Sequence, residues 1–136
     1  MVKCLVVDDD ELGRELIATY LDGLAYCEMA ENGAQAVEMF RNAFEGGTPY
    51  DLIILDIVMP EMDGNTAAQE IRLIEKEWGV SINEGVSIMV LSSLNTPGDV
   101  IHAYVSAKSA AHLVKPVHPD KLLATLGKMG ICKQLH

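Results

Sequence analysis

The chain has 136 residues, about the length of one domain, and 49% of them are hydrophobic, enough for one buried core. Its net charge is −10, because 20 Asp and Glu residues outnumber 10 Lys and Arg residues. Nucleic-acid binding and attraction to anionic membranes depend on basic residues, so direct binding to either is not expected. The expectation is a single domain over residues 1–136.

The terminal and cysteine patterns predict a cytoplasmic protein. The first residues carry one Lys and a short apolar run that meets three aspartates, unlike a secretory signal peptide. No stretch approaches the roughly 20 apolar residues of a membrane-spanning helix. Cys4, Cys27 and Cys132 are widely spaced, with no CxxC pair, and the first two lie in strand-like segments. We expect reduced thiols that pack as small hydrophobic side chains.

Strand-like and helix-like segments alternate along the chain, which is typical of a parallel sheet covered by helices on both faces. The third strand is a near-continuous apolar run, as expected for a strand buried on both faces. The predicted strands are Val2–Val7, Tyr26–Ala30, Leu52-Ile53-Ile54-Leu55 ending at Asp56, Val86–Leu91, and Ala110–Val114.

Apolar residues at helical spacing follow each strand, which predicts five helices and five βα units. Leu12, Leu16 and Ile17 are expected on the buried face of the first helix, and Asn32 with Gln35 indicates a capping box for the second. Trp78 is expected to close the third helix against the edge of the core. The fourth helix is predicted from Thr96-Pro97 through Ala107, and the fifth begins at Pro119.

Polar residues stand where four of the five strands end. They are Asp8 and Asp9, Asp56, Ser92, and Lys115, in chain order. Parallel strands point the same way, so these groups should meet at one edge of the sheet. Clustered carboxylates repel one another unless a cation compensates, and a sparse set of carboxylate oxygens suits Mg²⁺. An aspartate that attacks phosphorus forms an acyl phosphate, so the pattern predicts a metal and phosphoryl site.

Two further groups fit that chemistry. Lys115 would bring its positive charge next to one phosphoryl oxygen, and the Ser92 hydroxyl would donate a hydrogen bond to another. Pro116 restricts the backbone beside Lys115, and an X-Pro bond can be cis where it aims a side chain. Taken singly, each residue has a simpler interpretation: Ser92 could be an ordinary turn serine, and Lys115 a solvated surface lysine.

With these residues in place, the chain resembles the receiver domain of response regulators in two-component signalling, in its stand-alone chemotaxis-type form. The resemblance covers roughly Val2 to Gly130. The residues that carry it are Asp8-Asp9, Asp56 with Met59-Pro60-Glu61-Met62-Asp63-Gly64, Ser92, and Lys115-Pro116.

The resemblance implies a doubly wound, flavodoxin-like (βα)5 fold with strand order 2-1-3-4-5. It implies that Asp56 accepts a phosphoryl group from a histidine kinase or phosphotransfer protein. It also implies Mg²⁺ held by Asp9, Asp56 and the backbone carbonyl of Val58, with Asp8 acting mainly through water.

Ser92 and Lys115 would then respond to the phosphoryl group and change the binding of a downstream protein by a population shift. The resemblance further implies a switch that turns over no external substrate, as a monomer or weak homodimer. The aromatic residue usual in the fifth strand of the family is replaced by His112, which becomes the switch candidate.

Two other functions remain open. A phosphohydrolase with an aspartate nucleophile would usually carry Asp-x-Asp on its first strand, whereas here Asp8 and Asp9 are adjacent. Val58, two residues after the candidate nucleophile Asp56, is apolar, which argues against turnover. The other alternative is a receiver-like interaction module that phosphate does not control, an interpretation that the unusual His112 leaves open.

Overall fold

A computed structural model of the protein describes residues 2–57, 64–80, 84–93 and 110–131. Five strands form one parallel sheet in the order β2-β1-β3-β4-β5. This confirms the predicted fold and strand order, and each strand prediction agrees to within one residue at either end. The strands are β1 (Val2–Val7), β2 (Ala25–Ala30), β3 (Leu52–Asp56), β4 (Ser87–Ser92) and β5 (Ala110–Val114).

The described helices begin at recognisable caps. Asn32 accepts from the Gln35 backbone N–H at 2.8 Å, and Gln35 Oε1 accepts from the Glu31 N–H at 2.6 Å, one residue earlier than in the usual capping box. The predicted fourth helix from Thr96 to Ala107 lies outside the described residues. No helix within the described ranges is long and apolar enough to span a membrane. The helices are α1 (Glu11–Tyr20), α2 (Gly33–Glu45), α3 (Gly64–Glu77) and α4 (Pro119–Lys128).

The core has two layers, one on each face of the sheet. Successive strand residues point to opposite faces, so Leu5 packs with α2 and α3 whereas Val6 packs with α1 and α4. All five residues of β3 are buried, since this strand has neighbours on both sides and helices on both faces. Its last residue, Asp56, is therefore a carboxylate held at the end of the most enclosed strand.

The prediction for the buried face of α1 was partly wrong. Leu12 and Leu16 are 65% and 45% exposed, whereas Ile17 is buried together with Arg14, three residues before it. The buried stripe of α1 thus begins at an arginine, because that side chain has a partner at the end of β1. Trp78, which directly follows α3, lies as predicted at the edge of the core: it is 51% exposed, and 5.3 Å separates its ring centroid from that of Phe44, a residue packed against the core layer.

A buried carboxylate fixes the beginning of β4, the strand that ends at Ser92. Glu75 is 5% exposed, accepts from the Val86 backbone N–H at 2.6 Å, and pairs with Arg72 at 2.6 Å.

We expect Glu75→Ala to lower the free energy of unfolding by about 1–3 kcal/mol, because the buried N–H of Val86 loses its acceptor. Glu75→Gln keeps an acceptor oxygen and should lose less. Urea unfolding measures both, and equal losses would show that the Val86 contact is unimportant.

Candidate functional site

The structure brings the predicted polar residues to one edge of the sheet. Asp8 and Asp9 directly follow β1, Asp56 is the last residue of β3, Ser92 ends β4, and Lys115 directly follows β5. Because all five strands are parallel, these are all carboxyl ends, where open α/β sheets bind their ligands. Val58, the remaining predicted metal ligand, lies outside the described residues.

One lysine joins two buried carboxylates at this edge. Lys115 Nζ donates to Asp8 Oδ2 and to Asp56 Oδ2, both at 3.0 Å. Asp8 is 1% exposed and Asp56 7%, so neither carboxylate is well compensated by water. The peptide bond from Lys115 to Pro116 is cis. The ammonium group is therefore the shared counter-charge of two strand ends.

The environment of Lys115 keeps it protonated. Burial alone lowers the pKa of its amine, but hydrogen bonds and charge interactions with Asp56 and Asp8 outweigh this, and the net pKa is raised above 10.5. A raised pKa stabilises the folded state wherever the unfolded chain would still be protonated. That contribution is therefore fully present at neutral pH and is lost only as the pH rises through the raised value.

The three acids are grouped closely enough to hold a cation. Carboxylate oxygens of Asp8, Asp9 and Asp56 all lie within 4.8 Å of one another, and Asp9 is exposed to solvent. Among the described residues, the three carboxylates outnumber the two nearby cations, the Lys115 ammonium and the Arg14 guanidinium, so this edge carries excess negative charge. Hard oxygen donors with excess negative charge are what Mg²⁺ requires, so the side chains present fit that ion.

Arg14 and Gly13 also shape the site, and the sequence analysis predicted neither of them. Arg14 donates to the backbone carbonyl of Asp8 at 2.6 Å, and Asp8 Oδ1 accepts from the Asp10 N–H at 3.0 Å. A Cβ atom at Gly13 would lie 3.1 Å from Asp8 Oδ2, so a side chain there would press on the carboxylate. The available signal was the spacing of Arg14, three residues before the buried Ile17.

The Ser92 hydroxyl already has a partner at the same edge. Its Oγ lies 2.9 Å from Nε2 of His112, the predicted switch candidate on the neighbouring strand β5. Ser92 is 1% exposed, whereas His112 is partly exposed. The backbone N–H of Lys115 donates to the Ser92 carbonyl at 2.7 Å. Ser92 is thus hydrogen-bonded to β5 through its hydroxyl and, just beyond the end of β5, to Lys115 through its carbonyl.

Comparison with known proteins identifies the family. The sequence model of one protein family, the response regulator receiver domain, matches residues 4–127 of this chain. Chemotaxis protein CheY of Bacillus subtilis (strain 168) is 35% identical over 128 residues, which are 93% of this chain and 95% of that protein. Two-component response regulator ORR41 of Oryza sativa subsp. japonica is 34% identical over 134 residues, 96% of each chain.

Solved structures agree with this assignment. The receiver domain of the histidine kinase CKI1 from Arabidopsis thaliana, solved with Mg²⁺ and BeF3⁻, matches with a TM-score of 0.78 at 26% identity, covering 95% of this chain and 89% of that one. The co-crystal structure of Saccharomyces cerevisiae Ypd1 with the Ssk1 receiver domain contains a match with a TM-score of 0.78 at 25% identity, covering 95% and 88%. The chain therefore belongs to the family of response regulator receiver domains and is a phosphorylation-controlled signalling switch.

Proposed function

We propose that Asp56 is the residue of this switch that accepts the phosphoryl group. The observation that carries the proposal is the position of Lys115 Nζ, 3.0 Å from both Asp56 and Asp8 at the carboxyl edge of the sheet. One Asp56 oxygen would form a bond to phosphorus, while the bond from phosphorus to the donor breaks and its electron pair stays on the donor. Lys115 would stabilise the added negative charge on the phosphoryl oxygens.

The donor is proposed to be the phosphohistidine of a histidine kinase or phosphotransfer protein. Two comparisons support this class. The Ssk1 receiver was solved with the phosphotransfer protein Ypd1, and probable histidine kinase 2 of Oryza sativa subsp. indica is 30% identical over 139 residues, which are 95% of this chain and 13% of that protein. The aspartyl phosphate would serve as a signal to a downstream protein, with no turnover of an external substrate.

Asp9, Asp56 and the backbone carbonyl of Val58 are proposed to hold Mg²⁺, with Asp8 contributing mainly through water. The grouping of the three carboxylates supports the side-chain part of this set. When bound, the ion offsets negative charge on the phosphoryl group and on the acids. Arg14 donates to the backbone carbonyl of Asp8, a contact that uses none of the carboxylate oxygens and leaves them available to a cation.

His112 is proposed to report the phosphorylation of Asp56 through Ser92. A phosphoryl oxygen is a charged acceptor, and hydrogen bonds to charged acceptors are stronger than neutral ones. The Ser92 hydroxyl would therefore turn from His112 Nε2 toward the phosphoryl group. The imidazole then loses its partner and can repack at the surface of β5, where a downstream protein could sense it.

The first test is Mg²⁺-dependent phosphorylation of Asp56. Intact-protein mass spectrometry after treatment with acetyl phosphate should show one phosphoryl adduct with Mg²⁺ and none in Asp56→Asn. Asp51→Asn is the matched control, because Asp51 precedes the same strand at its opposite end. An adduct that persists in Asp56→Asn would refute the assignment, and absence of any adduct from acetyl phosphate or a kinase would favour a phosphate-independent module.

Lys115→Met tests the shared counter-charge. We expect the variant to lose about 1–2 kcal/mol of unfolding free energy without Mg²⁺, less than a fully buried pair would lose because the lysine is partly exposed. Added Mg²⁺ should restore part of the loss by compensating Asp8 and Asp56. Urea unfolding with and without Mg²⁺ measures this, with Lys121→Met on the exposed face of α4 as the control. Identical behaviour of the two variants would contradict the role.

The coupling of Ser92 to His112 can be followed by NMR of the imidazole nitrogens. Binding of beryllofluoride, a phosphoryl mimic, should shift the ring signals of His112 and leave those of exposed His118 unchanged. Ser92→Ala should abolish the shift, because the hydroxyl that connects the two groups is missing. A shift of the same size in Ser92→Ala would show that His112 responds by another route.

A further inference from the structure

Two thiols lie side by side in the sheet, away from the phosphorylation site. Cys4 on β1 and Cys27 on β2 are direct partners in the parallel pairing of these strands. Both belong to the layer that packs against α1 and α4, so their side chains lie on the same face of the sheet. Neither is in a disulfide.

Strand geometry places these thiols within reach of each other. Neighbouring strands lie about 4.7–4.9 Å apart, and Cα atoms joined by a disulfide are usually about 4.4–6.8 Å apart. The two side chains are already hydrogen-bonded, and the Cys4 thiol lowers the pKa of Cys27 more than burial raises it. A lowered thiol pKa increases the fraction of nucleophilic thiolate.

The two cysteines differ in access to solvent. Cys27 is partly exposed on the edge strand, whereas Cys4 is 0% exposed on the strand beside it. An oxidant can therefore reach Cys27 first, and Cys4 is protected until its neighbour has reacted. This is the arrangement of an attacking thiol with a resolving thiol behind it.

We propose that Cys4 and Cys27 form a peroxide-sensitive thiol pair that closes reversibly to a disulfide between β1 and β2. The Cys27 thiolate would attack the peroxide, forming a sulfur–oxygen bond, breaking the oxygen–oxygen bond, and releasing hydroxide that takes up a proton. Cys4 sulfur then attacks the sulfenic acid, and the hydroxyl group leaves with the Cys4 proton as water. The sum is two thiols and one hydrogen peroxide giving one disulfide and two waters.

Reversibility follows from the same geometry. Cβ atoms joined by a disulfide lie about 3.5–4.5 Å apart, closer than the spacing of about 4.7–4.9 Å between neighbouring strands. Closing the bond must draw β2 toward β1, so the disulfide is strained and easily reduced. Cys4 lies four residues before Asp8, whose backbone N–H donates to the backbone carbonyl of Ala30, the last residue of β2, at 3.2 Å. The disulfide would therefore join the two strands whose carboxyl ends are hydrogen-bonded to each other at Asp8.

The test uses the full chain with Cys132→Ser, which removes the third thiol. After hydrogen peroxide, we expect an intact mass lower by two hydrogens, restored by dithiothreitol. Trypsin should then release peptides 4–14 and 15–41 joined by one disulfide. Cys27→Ser in the same background should stay unmodified, because Cys4 is not accessible.

Cys4→Ala in that background separates chemistry from packing. It should leave Cys27 as a sulfenic acid trapped by dimedone, and it should slow alkylation of Cys27 by iodoacetamide several-fold at a fixed neutral pH, because the hydrogen bond is lost. Three results would each overturn the proposal: sulfinic or sulfonic acid on Cys27 with Cys4 still present, disulfides only between molecules, or thiols that resist peroxide while added glutathione is oxidised. Circular dichroism before and after oxidation checks that the fold is retained.

Discussion

The constraint on which the site depends is the sharing of one ammonium group by two buried carboxylates. Asp8, Asp56 and Lys115 lie at the carboxyl ends of β1, β3 and β5, so no local segment contains the arrangement. Buried charges are costly unless they are paired, and the pairing requires all three strand ends to be correctly placed. The order of the sheet and the compensation of its acids are thus two aspects of one requirement. With exposed Asp9 included, the edge still has excess negative charge, which makes it receptive to a cation.

The two sides of the site differ in how firmly they are held. Asp8 is fixed through Arg14, the Asp10 N–H and close packing against Gly13, contacts that do not depend on a bound group. The Ser92 hydroxyl instead has His112 Nε2 as its partner, and a phosphoryl oxygen, as a stronger acceptor, would replace it. A receiver needs both properties, because the acids must keep their positions while another part of the molecule changes. The firmly held part of the site is the end of β1, and the part that can change is the β4–β5 pair.

Much of this architecture is predictable because strand ends are marked by abrupt changes from apolar to charged residues. Asp56 after four apolar residues predicts both a buried strand and the site at its end, and the family resemblance adds the strand order. Arg14 was missed because its partner is a backbone carbonyl, so no acidic side chain in the sequence marks the contact, and its spacing from Ile17 was the one available signal. Leu12 and Leu16 were misplaced because their helical spacing fits a stripe offset from the one that Arg14 and Ile17 occupy. The pairing of Cys4 with Cys27 depends on register, which only the folded sheet defines.

The backbone hydrogen bond from Lys115 to the Ser92 carbonyl has a mechanical consequence. The pairing of β4 with β5 extends to Ser92 and Val114, and this bond of 2.7 Å continues it by one residue. Ser92 and Lys115 are therefore joined through their backbones, although their side chains can still rotate separately. A backbone shift of either strand end would strain this bond, so we expect the other strand end to follow the same shift.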